Sequence, residues 1–407
     1  MYIITGVVQH YAWGGRSFIP ELLDVPNISQ RPYAEYWLGV HPSGPSRVAL
    51  DNGAHTGLPD LIRSDAARYL GSNVLRHFGA WPYLLKVLDV RGMLSIQVHP
   101  TLEEARKGFA AENAAGIPLD APNRNYKDPN HKPEVMVALS EFWLLHGFNH
   151  AIRKVLERVP DLSALISVFD NAGLEGLYGH VMEMEQEAVD RMLRPLAERI
   201  LPGYRAGSID KSTPDFWAAR VMEEAGPELS GLDRGIFSIY FFNVVHLQPG
   251  QAIFQGAGVP HAYLEGQNVE LMSNSDNVLR AGLTPKHIDI PELMRHTLFE
   301  SIEPVIMHGD PAGVPHPASA QQITSVLRRY PCPVPDFSID CLDLNDGEDF
   351  ITTAEGPELW LMMEGTVQWT GDRSLETTKG QTVFVIPGEK VTMKAQGRVQ
   401  LFRAFVP

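Results

Sequence analysis

Gly250-Gln-Ala-Ile-Phe-Gln-Gly256-Ala-Gly258-Val-Pro-His261 sets two glycines eight residues apart and a histidine eleven residues after the first of them. Gly380-Gln-Thr-Val-Phe-Val-Ile-Pro-Gly388-Glu-Lys-Val391 repeats the opening Gly-Gln and the glycine spacing, but carries valine at the eleventh offset. Glycines at fixed offsets around a short apolar run punctuate strands, and a repeated spacing marks a repeated unit. The pair predicts two related β-barrels, one whose histidine reaches a metal and one whose matching position has become apolar. The rival reading is a coincidence of turn glycines.

Outward from His261, the next informative stretch is Leu94-Ser95-Ile96-Gln97-Val98-His99-Pro100. Side chains alternate along a strand, so Gln97 and His99 share one face while Ile96 and Val98 share the other. Glu134, in His131-Lys132-Pro133-Glu134, adds a carboxylate. Gln97, His99, Glu134 and His261 together offer two imidazoles, one carboxylate and one amide carbonyl. That donor set suits zinc or another first-row divalent ion and contains no thiolate. Taken singly, each has a plainer reading as a core histidine, a surface amide or a turn carboxylate.

Composition narrows the function classes. The 407 residues carry 34 basic and 49 acidic side chains, a net charge of -15. Such a balance argues against nucleic-acid or anionic-membrane partners, and an anionic substrate would need a local basic cluster. Residues 1–6 lack a basic, apolar leader pattern, and the longest apolar run, 239–245, is far too short to span a bilayer. Two cysteines, Cys332 and Cys341, read as reduced thiols. A cytoplasmic monomer acting on a small molecule is expected.

Along the chain, strands are predicted at 2–8, 34–40, 83–88, 93–99 and 134–139. Thr101-Leu-Glu-Glu104 is a capping box that opens a helix stopped by Gly116, followed by a polar loop over 120–130. From 151 to 235 the period turns helical, with helices predicted at 151–159, 162–169, 181–200 and 216–224. Strand 239–248, a helix at 291–299 and a Pro/Gly/His-rich linker at 309–317 come next. The remainder reads as β at 337–342, 358–363, 366–370, 381–386, 391–395 and 399–405. The prediction is an α+β protein. Residues 1–150 plus 236–308 form the metal-binding barrel, 151–235 an all-helical insert, and 309–407 a linker and a metal-free barrel.

The segment ending in His261 is similar to the second motif of the cupin barrel. Longer stretches resemble the type I mannose-6-phosphate isomerases (phosphomannose isomerases). They are Gln9-His-Tyr-Ala-Trp13-Gly14, Ala34-Glu-Tyr-Trp37-Leu-Gly39-Val-His41-Pro42, Ser95-Ile-Gln97-Val-His99-Pro100, Asn125-Tyr-Lys-Asp-Pro-Asn-His131-Lys132-Pro133-Glu134, Pro260-His261-Ala-Tyr263 and Ser275-Asp276-Asn277-Val-Leu-Arg280-Ala-Gly282-Leu-Thr-Pro285-Lys286. Departures such as Tyr36 and Trp81 fall beside the motifs. The resemblance implies two cupin-like jelly-roll barrels and one zinc per chain on Gln97, His99, Glu134 and His261. It also implies interconversion of mannose 6-phosphate and fructose 6-phosphate by proton transfer between C1 and C2 through an enediol(ate). Arg280 is marked as an active-site cation, and Ser95, Lys86 and Lys286 as phosphate ligands.

Several roles stay open on the residues themselves. Lys132, Asp276, His131 and Glu270 compete as the proton-transfer base. Arg280 has a structural alternative in pairing with Asp276. Lys86, inside the apolar run Tyr83-Leu-Leu-Lys86-Val-Leu88, needs either an anion or a buried carboxylate partner. Two rival functions remain. An Fe(II) cupin oxygenase needs open positions that Gln97 would crowd. A sugar-binding cupin without catalysis would have no use for Lys132, Asp276 and Arg280 together.

Overall fold

The computed structural model describes residues 1–50, 53–224, 226, 228–311 and 326–407. Two antiparallel sheets dominate, one of ten strands and one of eleven among the described residues. The hub of the ten-stranded sheet is the strand His261–Ser273. It pairs with Tyr83–Val90 from Gly266 opposite Val90 to Ser273 opposite Tyr83. Glu134–Ala138 pairs with the same half, while Gln97–Val98 and Phe142–Phe148 take the half that begins at His261. Gly266 makes this change of partner possible. Its φ is 130° and a Cβ there would meet the Glu141 carbonyl oxygen at 2.6 Å, so only glycine fits.

Tyr83–Val90 is buried along its whole length because Glu35–Gly39 covers its other edge and both faces are packed. One face joins the apolar layer between the two sheets, with Tyr83, Leu85 and Val87; the other, with Leu88 and Val90, packs against Met136, Phe142 and Tyr263.

The eleven-stranded sheet runs through Val326–Tyr330, Ser338–Leu344, Lys390–Phe405, Glu358–Thr370 and Thr382–Val385. It then continues into Tyr2–Thr5, Arg47–Ala49 and His55–Gly57. The C-terminal sheet is thus not built from residues after 309 alone. Ile4 pairs with Thr382 on one side and Val48 on the other, and Tyr2 and Ile4 bury their side chains between the sheets. Most of the expected linker, from residue 312 onward, lies outside the described residues.

The glycine repeat is a structural one. Gly250, Gly258, Gly380 and Gly388 all take left-handed φ values between 78° and 83°. The strands Ala252–Gln255 and Thr382–Val385 start two residues after the first glycine of each copy. His261 and Val391 are both buried, but Val391 belongs to an apolar core with Trp360, Trp369, Val383 and Val385.

Between Phe148 and Phe242 the chain is helical: Ile152–Arg158, a 3-10 turn at Pro160–Leu165, Ile166–Glu183, Gln186–Arg205, Pro214–Glu224 and Gly235–Phe241. Their apolar faces share one core with Ile96, Val98, Ala262, Leu264, Leu279 and Ala281. The helices therefore back the strands whose other faces carry Gln97 and His261. Four expectations need correction, the first being the helix predicted over 181–200, which is broken at Met184 and Glu185. Residues 239–241 end a helix whose seven residues are all buried, which leaves no periodicity to separate it from a strand. Of the strand predicted over 93–99, only Gln97–Val98 is regular. Glu358–Thr370 and Lys390–Phe405 each run unbroken through positions read as turns.

Both cysteines are free thiols. Among the described residues no helix is long and apolar enough to cross a membrane.

Candidate active site

His99, Glu134 and His261 converge in the ten-stranded sheet, each buried, with one donor atom apiece within 4.8 Å of the others. His99 Nε2 lies 3.4 Å from Glu134 Oε1, and His261 Nε2 lies 3.5 Å from Glu134 Oε2. A tetrahedral zinc with ligands at about 2.0–2.1 Å would have donor–donor edges of about 3.3 Å. The spacing fits. Gln97 stands directly opposite His261 in the strand pairing and so faces the same side.

The tautomers follow from what each ring faces. His99 Nδ1 donates to the Asn277 carbonyl oxygen at 2.9 Å, and His261 Nδ1 donates to that of Val259, also at 2.9 Å. A carbonyl cannot donate, so each Nδ1 carries the proton and each Nε2 presents a lone pair toward Glu134. His99 Nε2 is buried without a hydrogen-bond partner, as expected of a ligand atom. Asn277 is held in turn: its side-chain amide donates to the carbonyls of Asp128 (2.7 Å) and Asn130 (2.8 Å) and accepts from the Lys127 N–H (2.7 Å).

Charge is distributed to keep the imidazoles neutral. Burial, then Lys132, lowers the His99 pKa to about 4. Lys132 Nζ sits 3.0 Å from Glu134 Oε1. Burial opposes the Glu134 charge, but the Lys132 ammonium beside it outweighs burial and holds the carboxyl well below its ordinary range. His146, opposite His261 in the sheet, is also driven down to about 4 by burial and by His261.

The remaining predicted residues occupy distinct places. Lys86 is buried, 2.9 Å from Glu270 Oε2 and 3.7 Å from Glu35 Oε2, with Trp37 under its ammonium at 5.4 Å. This is burial against carboxylates, so its charge is already matched. Burial opposes that charge, but Glu270 and Glu35 raise the Lys86 pKa above its ordinary value. Glu270 is pushed up by burial despite Lys86. Asp276 pairs with His41 at 3.2 Å rather than with Arg280. His131 turns its Nε2 to Asp336, 2.9 Å away in the C-terminal part of the chain. Arg280 stands opposite Gln97, half-buried, and forms no hydrogen bond or ion pair with the described residues; burial lowers its pKa. Lys286 lies near enough to Arg280 for the two cations to repel, adding to burial in lowering the Lys286 pKa. Ser95 precedes the regular strand, so strand alternation does not decide its direction.

The type I phosphomannose isomerase catalytic domain matches residues 1–151. Mannose-6-phosphate isomerase of Escherichia coli (strain K12) is 39% identical over 98% of both chains. The chain belongs to the type I phosphomannose isomerases. It is thus an enzyme, a mannose-6-phosphate isomerase by family. The human mannose-6-phosphate isomerase is 33% identical over 97% of this chain and 95% of its own. A crystal structure of the Salmonella typhimurium mannose 6-phosphate isomerase, bound to fructose 6-phosphate and zinc, superposes with a TM-score of 0.85. That pair is 35% identical over 100% of this chain and 99% of the other.

Within this family fold, sequence reasoning missed several contributors. The Asn277 carbonyl orients His99 through a backbone atom, for which no side-chain pattern exists. Gln255 is fully buried opposite Glu134, with neither amide atom hydrogen-bonded. Alternation along 252–255 read against Glu134 could have found it. Asp336 is 205 residues from His131, and no local signal announces it.

Proposed function

We propose that this chain interconverts mannose 6-phosphate and fructose 6-phosphate by moving a proton between C1 and C2 through an enediol(ate), at a single zinc held by Gln97, His99, Glu134 and His261. The observation that carries the reading is the convergence of His99, Glu134 and His261 on one point, with both imidazole Nε2 lone pairs facing it. Zinc, when bound, supplies Lewis-acid polarisation of the sugar's oxygens.

The chain's own residues do the rest. Among the candidate bases, Glu270 is committed to Lys86, His131 to Asp336 and Asp276 to His41. Lys132, whose ammonium pairs with Glu134 beside the two imidazoles, is the group we assign to proton transfer. Arg280, which forms no hydrogen bond or ion pair with the described residues, stabilises the developing enediolate. Lys286 beside it binds the phosphate, with Ser95 contributing a hydroxyl. Lys86, paired with Glu270 and Glu35, adds a further cation on the phosphate side. We read both sheets as cupin-like barrels and the helices over 151–235 as an insert.

The test is to quantify bound zinc and follow mannose 6-phosphate conversion before and after chelation. We expect turnover to vanish with the metal and return with zinc. Full turnover by metal-free protein would overturn the reading. Activity under anaerobic conditions separates it from an oxygenase.

A further inference from the structure

We infer that the segment leading into the C-terminal sheet contributes a positioning residue to the active site: Asp336, acting through His131. The inference rests on the reading that Lys132 takes part in the chemistry. Asp336 is 4% exposed and lies two residues before the strand Ser338–Leu344. Its Oδ1 accepts from His131 Nε2 at 2.9 Å and from the Ser273 hydroxyl at 2.8 Å. A carboxylate has no proton to give, so His131 Nε2 carries the hydrogen and the ring direction is fixed.

The segment that follows is the one carrying Lys132 and Glu134. Its neighbour on the other side is the end of the hub strand, where the Ser273 N–H donates to the Pro133 carbonyl oxygen at 3.2 Å. Before it, the His131 N–H is held by the Asn130 side chain at 3.0 Å. The lysine thus leaves the main chain one planar peptide after a ring clamped by the opposite sheet. Fixing that ring fixes the direction in which Lys132 departs toward Glu134. In this arrangement His131 is a support for Lys132 and takes no proton from the sugar.

The zinc-loaded full chain is compared with Asp336→Asn, His131→Gln, the double variant, Ser273→Ala and Lys132→Ala. Displacing a reacting group by about 1 Å costs on the order of 100-fold in rate, so a loosened but tethered lysine should lose roughly 10- to 30-fold. We expect that fall in kcat for Asp336→Asn and for His131→Gln, with KM and bound zinc changed less than about twofold, and a double variant no slower than the slower single. Ser273→Ala, which removes the other donor, should lower Tm while leaving kcat within about twofold. Multiplying effects in the double variant, an unchanged kcat in Asp336→Asn, or an equal kcat loss in Ser273→Ala would each overturn the inference. If Asp336→Asn does not fold, His131→Gln alone decides: the kcat-only loss supports the inference and normal turnover overturns it. Wild-type turnover by Lys132→Ala would instead refute the underlying assignment of Lys132, a result recognisable whatever Asp336 does.

Discussion

Lys86 and Arg403 occupy matching rungs in the two sheets. Lys86 stands opposite Trp37 on one neighbouring strand and Glu270 on the other; Arg403 stands opposite Trp360 and Asp340. Each tryptophan follows a glutamate by two residues and donates its indole N–H to it, Trp37 to Glu35 and Trp360 to Glu358. Each cation lies over its tryptophan, at 5.4 Å and 5.5 Å, and pairs with carboxylates on both flanks. Yet only the first sheet brings two imidazoles and Glu134 alongside. A buried cation between carboxylates is therefore part of the architecture, and by itself no sign of a substrate. What the first sheet adds to the rung is the cluster of His99, Glu134 and His261 with Lys132 beside it, and it is there that we place the proposed chemistry.

The most drastic way to erase that difference is His261→Val, which gives the first glycine repeat the residue the second carries at Val391. Zinc and turnover should disappear together, with activity down at least about 1,000-fold, as for loss of a group acting as part of one unit; stoichiometric zinc in the purified variant would break the comparison. Arg280→Ala comes next. Losing one stabilising donor should cost about 100-fold in kcat while zinc content stays whole, and unchanged turnover would remove Arg280 from the chemistry.

Lys86→Met and Arg403→Met sharpen the comparison at the rung itself. Each strands buried carboxylates, and breaking such a pair costs about 3–5 kcal/mol, so the two should lose similar stability in denaturant titrations. If Lys86 also reaches the phosphate, its variant alone will show a raised KM for the phosphorylated sugar and no such change for an unphosphorylated analogue.

The smallest effect concerns pH. Burial holds His99 and His146 at about 4, whereas the same rings in the unfolded chain titrate near 6.5. Between those values the unfolded state binds more protons, so stability of metal-free protein should be full above about 6.5 and fall as pH drops toward 4. His146 lies in the first sheet and His99 directly follows one of its strands, so the loss should register as faster hydrogen exchange in the first sheet rather than the C-terminal one. A Tm that stays level over this range would contradict it.

Much of this was legible in the sequence because it is local. Glycine offsets encode positive φ, and the capping box at Thr101 forms as read, with the helix running Leu102–Ala114. Donor chemistry and alternation nominated the ligands. What escaped was either uniform or distant. The strand Phe142–Phe148 is buried on both faces and shows no alternation, and the buried helix Gly235–Phe241 resembles a strand for the same reason. The partners of Lys86, Asp276 and His131 come from across the fold, where spacing along the chain carries no information.

The pairing of Tyr2–Ile4 with Thr382–Phe384 joins opposite ends of the polypeptide. At about 5–20 residues per second, ribosomal synthesis separates the two partners by tens of seconds. Throughout that interval Tyr2–Ile4 lacks this partner, and the apolar side chains of Tyr2 and Ile4 go without the strand that later helps to bury them. Closure of the eleven-stranded sheet consequently waits until residues 382–384 have been made.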